Sequence, residues 1–315
     1  MTVTVRSFAK INLGLRIGAR RDDGFHDLLT VYQTIGLHDL IRVSSGRGRG
    51  IEILCTDPRV PTDESNTCFR VVEKAMLALN AKGRIRIEIE KRLPVQGGLG
   101  GASANAVAAL LGLERVLKKS LPAAQRLRIA AEVGSDLPLF LIGGTVLGVG
   151  HGEQVYPLED LPATACVVVT PEVGVSTPKA FAEWDRKLTV AGPSDRMIEL
   201  GRGLSAWLSE SYSGAPFRRG RRENPLLELV RAGIKNDFEQ VVFPEYPELS
   251  ESKSALERAG AKYASLSGSG SALYGLFASK EAARAAVARL GKQGWKAQAT
   301  VTLTRAEYWK RIVEA

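Results

Sequence analysis

The sequence predicts an α+β protein of two domains, and three observations carry that reading. Its 315 residues amount to about two domains at roughly 100–200 residues each. The first half mixes strand-like and helix-like segments without a regular βαβ rhythm, and the second half closes on an α-β-β-α-β order that suggests a sheet backed by helices on one face. Leu161-Pro162-Ala163-Thr164 punctuates the chain between them, which places the boundary after residue 162 and gives domains 1–162 and 163–315.

The elements follow from their patterns. Val3 and Val5, then Ile11, Leu13, Leu15 and Ile17, alternate with other residues as a half-buried strand does, and the run stops at the charged turn Arg20-Arg21-Asp22-Asp23-Gly24. Residues 39–44, 51–55 and 84–90 are further strands, the last with Ile85, Ile87 and Ile89 on one face and charges on the other. Apolar residues at helical spacing mark helices over 66–79, 103–117 and 122–133, with Gly112 the weak point of the second. Beyond the boundary, 165–170 is a buried strand and a long helical region follows. Residues 248–259 form a helix ending at Gly260, 262–266 and 272–277 are strands joined by a Ser/Gly loop, 280–290 is a helix ending at Gly291, and 295–303 alternates again.

Composition narrows the class. With 44% apolar residues, 32 glycines, 24% charged residues and a mean hydropathy of −0.05, the chain is a soluble globular protein and not a disordered one. Cys55, Cys68 and Cys166 are odd in number and lack a CxxC, so they suit neither a disulfide framework nor a zinc site, and a reducing, cytoplasmic setting follows. Arg6, Lys10 and Arg16 interrupt the first 21 residues, which argues against a secretory signal, and Gly143, Gly144 and Gly148 break the longest apolar stretch, which argues against a membrane span. The net charge of +9 includes Arg218, Arg219, Arg221 and Arg222 in one polar stretch, and it reads as solvation plus attraction of small anions, not as a nucleic-acid footprint.

Four segments carry chemistry. The run Leu93-Pro94-Val95-Gln96-Gly97-Gly98-Leu99-Gly100-Gly101-Ala102-Ser103-Ala104-Asn105 lies between a strand and an Ala/Leu-rich helix. Its four glycines permit close backbone approach, and the helix N-terminus presents unpaired N–H groups to the same place, which makes a phosphate cradle. It is neither GxxxxGK[ST] nor GxGxxG, and the plain alternative is a connector with Ser103 as a helix cap. The run 265–272, Ser-Leu-Ser-Gly-Ser-Gly-Ser-Ala, offers hydroxyls and N–H groups to a phosphate or polar substrate, but alone it reads equally as a hairpin loop. In Gly134-Ser135-Asp136-Leu137-Pro138, Gly134 stops a helix and Pro138 holds Leu137 extended. Alone, Asp136 reads better as a cap for the next helix than as a functional carboxylate. Lys10 and Asn12 point to one face of the first strand and Ile11 and Leu13 to the other, so the polar pair needs partners, a ligand or solvent. His38 and His151 have no metal-ligand spacing and read as surface or satisfied histidines, and Cys166 reads as core.

In this order, Ser7-Phe8-Ala9-Lys10-Ile11-Asn12-Leu13, the Pro94–Asn105 glycine loop and the 267–272 loop resemble the three motifs of the GHMP small-molecule kinases. Asp23-Gly24-Phe25-His26-Asp27-Leu28, the 134–138 segment and Pro171-Glu172-Val173-Gly174-Val175-Ser176-Thr177-Pro178 resemble the branch of that family acting on a cytidine-diphosphate-linked polyol. The resemblance runs from about Ser7 to Phe277 and is weakest over 181–222. It implies an N-terminal ribosomal-protein-like α+β domain with a left-handed βαβ unit, a C-terminal ferredoxin-like domain and an active site in the cleft between them. It implies Lys10 and Asp136 as the catalytic pair. The ATP phosphates fall to Pro94, Gly97, Gly98, Leu99, Gly100, Gly101 and Ser103, and the adenine pocket to Asn66, Lys91 and Asn105. The substrate falls to Asn12, Phe25, His26, Phe181, Gly268, Ser269 and Gly270, with Phe25 and Phe181 holding the cytosine between them.

ATP and Mg²⁺ are the implied cofactors, with no metal ligand assignable beyond the Ser103 hydroxyl, and a monomer or weak homodimer is the implied assembly. The chain departs from the family pattern at Phe25, where Tyr is common, at Gln96, which interrupts the glycines, and at Ala102 and Ala104, which replace Gly and Ser. A kinase for homoserine, mevalonate or a sugar is the nearest rival reading. A basic RNA-binding protein and an inactive paralogue are more distant ones.

Overall fold

The computed structural model describes residues 1–187, 193–212 and 234–314, so Arg218, Arg219, Arg221 and Arg222 lie outside the described residues. Strand β1 (Thr2–Arg20) pairs antiparallel with β2 (His26–Gly46) along nearly its whole length. The opposite edge of β2 is shared: residues 40–46 pair with β4 (Arg84–Glu90) and residues 28–33 with β5 (Thr145–Gly150). Strand β6 (Gln154–Pro157) adds to β5, while β3 (Gly50–Cys55) runs parallel to β4 and reaches it through helix α1 (Thr67–Ala78). Helices α2 (Gly101–Leu117), α3 (Ala123–Val133) and α4 (Leu137–Ile142) complete the helical cover of this sheet.

The second sheet has the order β10-β7-β9-β8, formed by β7 (Ala165–Val169), β8 (Tyr263–Leu266), β9 (Leu273–Phe277) and β10 (Ala297–Val301), every pair antiparallel. Helices α5 (Thr177–Lys187), α6 (Pro193–Tyr212), α7 (Glu239–Glu245), α8 (Pro247–Arg258) and α9 (Lys280–Lys292) accompany it. This is the ferredoxin-like arrangement expected of the second half.

Local chemistry explains several boundaries. Asn66 caps α1 by accepting from the Cys68 amide at 2.8 Å, and Ser279 caps α9 by accepting from the Ala282 amide at 3.1 Å. Gly112 is where α2 lies against the sheet: a Cβ there would sit 2.6 Å from Val43 Cγ2, so the apparent weak point of the helix is its closest approach. Three expectations are corrected. Helix α9 passes Gly291 and ends at Lys292. Residues 137–142 are helical, so Pro138 does not hold Leu137 extended but occupies the first turn, where its missing N–H costs nothing. Strand β1 is buried on both faces from Ser7 to Gly18 rather than half-buried.

That burial follows from the packing between the two sheets. Ala9, Ile11 and Leu13 of β1 and Val31 and Ile35 of β2 share one apolar cluster with Cys166 and Val168 of β7 and Tyr274 and Leu276 of β9. The Tyr274 hydroxyl donates to Asn12 O at 2.9 Å, and buried Arg16 pairs with buried Asp237 at 2.9 Å. The end of the chain returns to the first sheet. Tyr308 of α10 (Arg305–Arg311) is buried in the first core and donates to Phe140 O at 2.7 Å, and Val313 bridges Val5.

Candidate active site

A cleft of about 590 Å³ opens between the two sheets, and a second of about 360 Å³ adjoins it; Gly98 and Gly100 line both. The wall between them is therefore the glycine loop, whose shape is over-determined. Gly98 (φ +72°) and Gly100 (φ +69°) are left-handed, a region costly for other residues. A Cβ at Gly98 would run into Ser267 O, and one at Gly100 would lie 3.0 Å from both Lys10 Cγ and Phe140 Cζ. The Lys10 amide donates to Leu99 O at 3.0 Å, the Ala272 amide to Gly97 O at 3.0 Å and Ser267 Oγ to Gly98 O at 2.9 Å. β1 and the second Ser/Gly loop thus clamp the first loop from two sides. Gly100 is the N-cap of α2, so Ser103 is not a cap but sits in the first turn, lining the smaller cleft.

At the inner end of the larger cleft, Lys10 and Asn12 are buried, which removes the solvent-exposed alternative for both. Lys10 Nζ donates to Asn12 Oδ1 at 2.7 Å and lies 3.4 Å from Asp136 Oδ2. Asn12 Nδ2 donates to Thr30 Oγ1 at 2.8 Å, and Thr30 in turn to Gly14 O. Asp136 stands at the N-cap position of α4 but makes no capping hydrogen bond; its Oδ1 accepts from Tyr32 at 3.1 Å instead. Burial, followed by the charge of Asp136, pushes the Tyr32 phenol well above its usual range, so the hydroxyl remains a donor. The carboxylate is therefore placed by a phenol and an ammonium, not spent on a helix end.

The outer end is aromatic. Phe25 is 60% exposed, and its ring stacks on His151 at 4.7 Å between centroids. The Phe25 amide donates to Asp23 Oδ1 at 3.0 Å, and together with the Arg21 and His151 charges this holds the Asp23 carboxyl below its usual range. His26 is buried, with Nδ1 3.1 Å from Gly18 O and Nε2 2.9 Å from Asp185 Oδ1, and its ring lies parallel to Phe181 at 5.3 Å. Phe181 is backed edge-on by Phe238. Gly268 and Ser269 line this cleft, and Ser269 Oγ is 2.7 Å from Thr177 Oγ1. Gly270 lines neither cleft and packs against Leu266.

Pro94, Gly97, Leu99, Gly101, Asn66, Lys91 and Asn105 line the smaller cleft. The three polar side chains there also hold its wall. Asn66 caps α1 and donates to Pro61 O at 2.6 Å, Lys91 Nζ donates to buried Asp39 at 2.5 Å, and Asn105 Oδ1 accepts from Ser7 Oγ at 2.6 Å. Among the described residues no cluster of three or more His, Cys, Asp or Glu side chains is disposed to hold a metal ion.

Sequence reasoning missed several lining residues. Thr177 lies in the 171–178 segment but was not singled out, and Tyr32 and Asp185 carry no motif, although Thr30, Tyr32 and Thr34 share one face of their strand, a period-2 polar face that could have singled out Tyr32. His151, read as a surface or satisfied histidine, pairs with Asp23 and also lines the cleft against Phe25, at a hairpin turn between Gly150 and Gly152 where spacing rules say nothing.

Comparison with known proteins agrees with this geometry. Residues 66–144 match the GHMP kinases N terminal domain and residues 220–296 the GHMP kinases C terminal domain. The chain is 39% identical to the 4-diphosphocytidyl-2-C-methyl-D-erythritol kinase of Solibacter usitatus over 91% of this chain and 85% of that one. It is 35% identical to the enzyme of the same name from Moorella thermoacetica over 91% and 94%. A crystal structure of 4-(cytidine 5'-diphospho)-2C-methyl-D-erythritol kinase superposes with a TM-score of 0.74 at 28% identity, covering 95% of this chain and 98% of that one. Homoserine kinase from Cytophaga hutchinsonii shares the fold, with a TM-score of 0.71 at 21% identity over 96% and 95%. With both domain matches in chain order and full-length relatives above 30% identity, the chain belongs to the GHMP kinase family, among its 4-diphosphocytidyl-2-C-methyl-D-erythritol kinases.

Proposed function

We propose that the protein is an ATP-dependent kinase that phosphorylates the 2-hydroxyl of 4-diphosphocytidyl-2-C-methyl-D-erythritol, in isoprenoid precursor synthesis by the non-mevalonate route. The observation that carries the reading is the shared wall: a nucleotide in the smaller cleft and a polyol in the larger one meet across Gly98 and Gly100, beside Lys10 and Asp136. Asp136 takes the proton of the attacking hydroxyl, whose oxygen bonds to the terminal phosphorus as the bond to ADP breaks. Lys10 steadies the attacking oxygen and the charge that develops on the transferred group. The α2 N-terminus and the loop amides hold the phosphates, with Ser103 in the first turn. Ser103, in the first turn of α2 and lining the smaller cleft, would offer its hydroxyl to a Mg²⁺ ion brought by the nucleotide, which would supply charge neutralisation.

Asn12 binds the methylerythritol hydroxyls, with Gly268 and Ser269 contributing backbone; Gly270, which lines neither cleft, drops out of the substrate contacts. His26 reads the edge of the cytosine and Phe25 and Phe181 its faces. We assign the domains to 1–162 and 163–315, with the last residues returning to the first. The free state of Cys55, Cys68 and Cys166 supports a cytoplasmic setting, and the described residues include no helix long and apolar enough to cross a membrane. A monomer or weak homodimer acting on small molecules and not on nucleic acid completes the proposed reading. ADP release with Mg-ATP against the cytidyl compound, mevalonate, homoserine and galactose tests the reading. Turnover is expected with the first alone, and preference for any other sinks the substrate assignment.

A further inference from the structure

Asp136 is only partly buried, and nothing on its own helix fixes its carboxylate. Its orientation comes from β1 and β2. Lys10 Nζ takes Oδ2 at 3.4 Å and the Tyr32 hydroxyl takes Oδ1 at 3.1 Å. Tyr32 itself is 2% exposed, its ring belongs to the first core, and Lys10 Nζ lies 5.6 Å from the ring centroid. One side chain therefore touches both members of the proposed catalytic pair.

The room for this ring is built into β5 and the turn after it. A Cβ at Gly148 would lie 2.5 Å from Tyr32 Cε2, and one at Gly152 would run into the Tyr32 hydroxyl. Two glycines thus vacate the space that the Tyr32 ring and hydroxyl occupy beside Asp136.

We propose that Tyr32 is a positioning residue for the phosphoryl transfer, holding Asp136 by one oxygen so that the other faces Lys10 and the substrate hydroxyl. The inference rests on the assignment of Asp136 as the proton acceptor. Displacing a catalytic group by about 1 Å costs up to about 100-fold in rate, and a hydrogen bond to a charged group is among the stronger ones available to set such a position. A phenol suits the task because it donates without adding a charge that would compete with Lys10.

The test is steady-state kinetics on Tyr32→Phe, which keeps the ring and removes only the donor. The expected result is a kcat about 10-fold lower, with KM for ATP and for the cytidyl substrate within about twofold of wild type. In an Asp136→Ala background the same change should cost nothing further, because the hydroxyl then has no carboxylate to hold. Gly148→Ala, which keeps the hydroxyl but crowds the ring out of its position, should also lower kcat. An unchanged kcat in Tyr32→Phe, or losses that simply multiply in the double variant, would overturn the proposal and return Tyr32 to core packing. If Asp136→Ala alone turns over like wild type, the proton-acceptor assignment fails and takes this inference with it; if it is impaired while Tyr32→Phe is not, only the inference fails.

Discussion

The two ends of the larger cleft are built on different principles. At the inner end Lys10, Asn12 and Tyr32 sit buried on paired strands, every polar atom the reaction needs is tied to another, and the adjacent backbone is held by left-handed glycines. At the outer end Phe25 and His151 stand on turns, Phe181 starts a helix face, and the groups are held by ring stacking, with Phe25 largely open to solvent. The difference separates two jobs. On the proposed assignment, phosphoryl transfer, which tolerates little error in position, falls to the buried, hydrogen-bonded end, and base recognition, which needs stacking area, falls to the exposed aromatic one.

Substitutions at the two ends should therefore divide between kcat and KM. The largest effect belongs to Asp136→Asn, which keeps the shape but cannot take a proton: kcat should fall about 10²–10⁴-fold with ATP binding nearly intact, and wild-type turnover would remove the carboxylate from the mechanism. Lys10→Ala should show the same kcat-weighted loss, and a rise in KM alone would make Lys10 a binding group only.

Next come the rings. Phe25→Ala and Phe181→Ala should raise KM for the cytidyl substrate by roughly 5- to 150-fold, with KM for ATP little changed. The structure splits the pair by stability. Exposed Phe25 should leave the melting temperature alone, while Phe181→Ala should lower it, by less than the roughly 3–5 kcal/mol of a fully buried phenylalanine, because it also packs on Phe238. Normal substrate KM in folded Phe25→Ala would make the outer end a bystander.

The loop offers a smaller contrast. Gly100→Ala forces a side chain into left-handed backbone against Lys10 and Phe140 and should cost about 1–2 kcal/mol with weaker ATP binding. Gly101→Ala places its Cβ 3.5 Å from Lys91 Nζ in ordinary contact and should melt like wild type. Equal melts for the two would remove the conformational argument for the loop. Smallest of all, Phe25→Tyr should leave both Michaelis constants within about twofold, since stacking area is conserved; a large change would mean that the added hydroxyl finds a partner.

Most elements with one wet face were readable from sequence. Ile85, Ile87 and Ile89 marked β4, and the apolar spacing of α1 and α3 marked two helices, because alternating burial leaves a period in the residue order, while α2, buried all round from Ala104 to Glu114, was marked by its Ala/Leu content instead. The short helix α4 left no such trace, since it is apolar throughout, and the first half of β2 mixes buried Thr30, Gln33 and Thr34 with its apolar residues because it is paired on both edges. Strands β5 and β6 were masked by Gly148 and Gly150, which serve the Tyr32 ring and a turn. The site followed the same rule. Lys10, Asn12, Asp136 and the glycines stand out as polar or small residues against apolar neighbours, and the structure brings them within a few ångströms of one another. Tyr32 and His151 act only through what lies across from them in space, Asp136 and Phe25, and no local pattern records a partner about a hundred residues away.

The return of α10 to the first sheet sets an order of events during synthesis. Leu303, Tyr308 and Ile312 complete a core whose other walls, from Val5 to Phe140, leave the ribosome much earlier. At roughly 5–20 residues per second, on the order of 10–30 s separates the two, during which the apolar face that α10 will cover stands open. The ferredoxin-like sheet needs β10, which also emerges late, so neither half closes far ahead of the other. The nascent chain thus carries β1 unsealed through most of its translation, and that interval is when a chaperone has the most to bind.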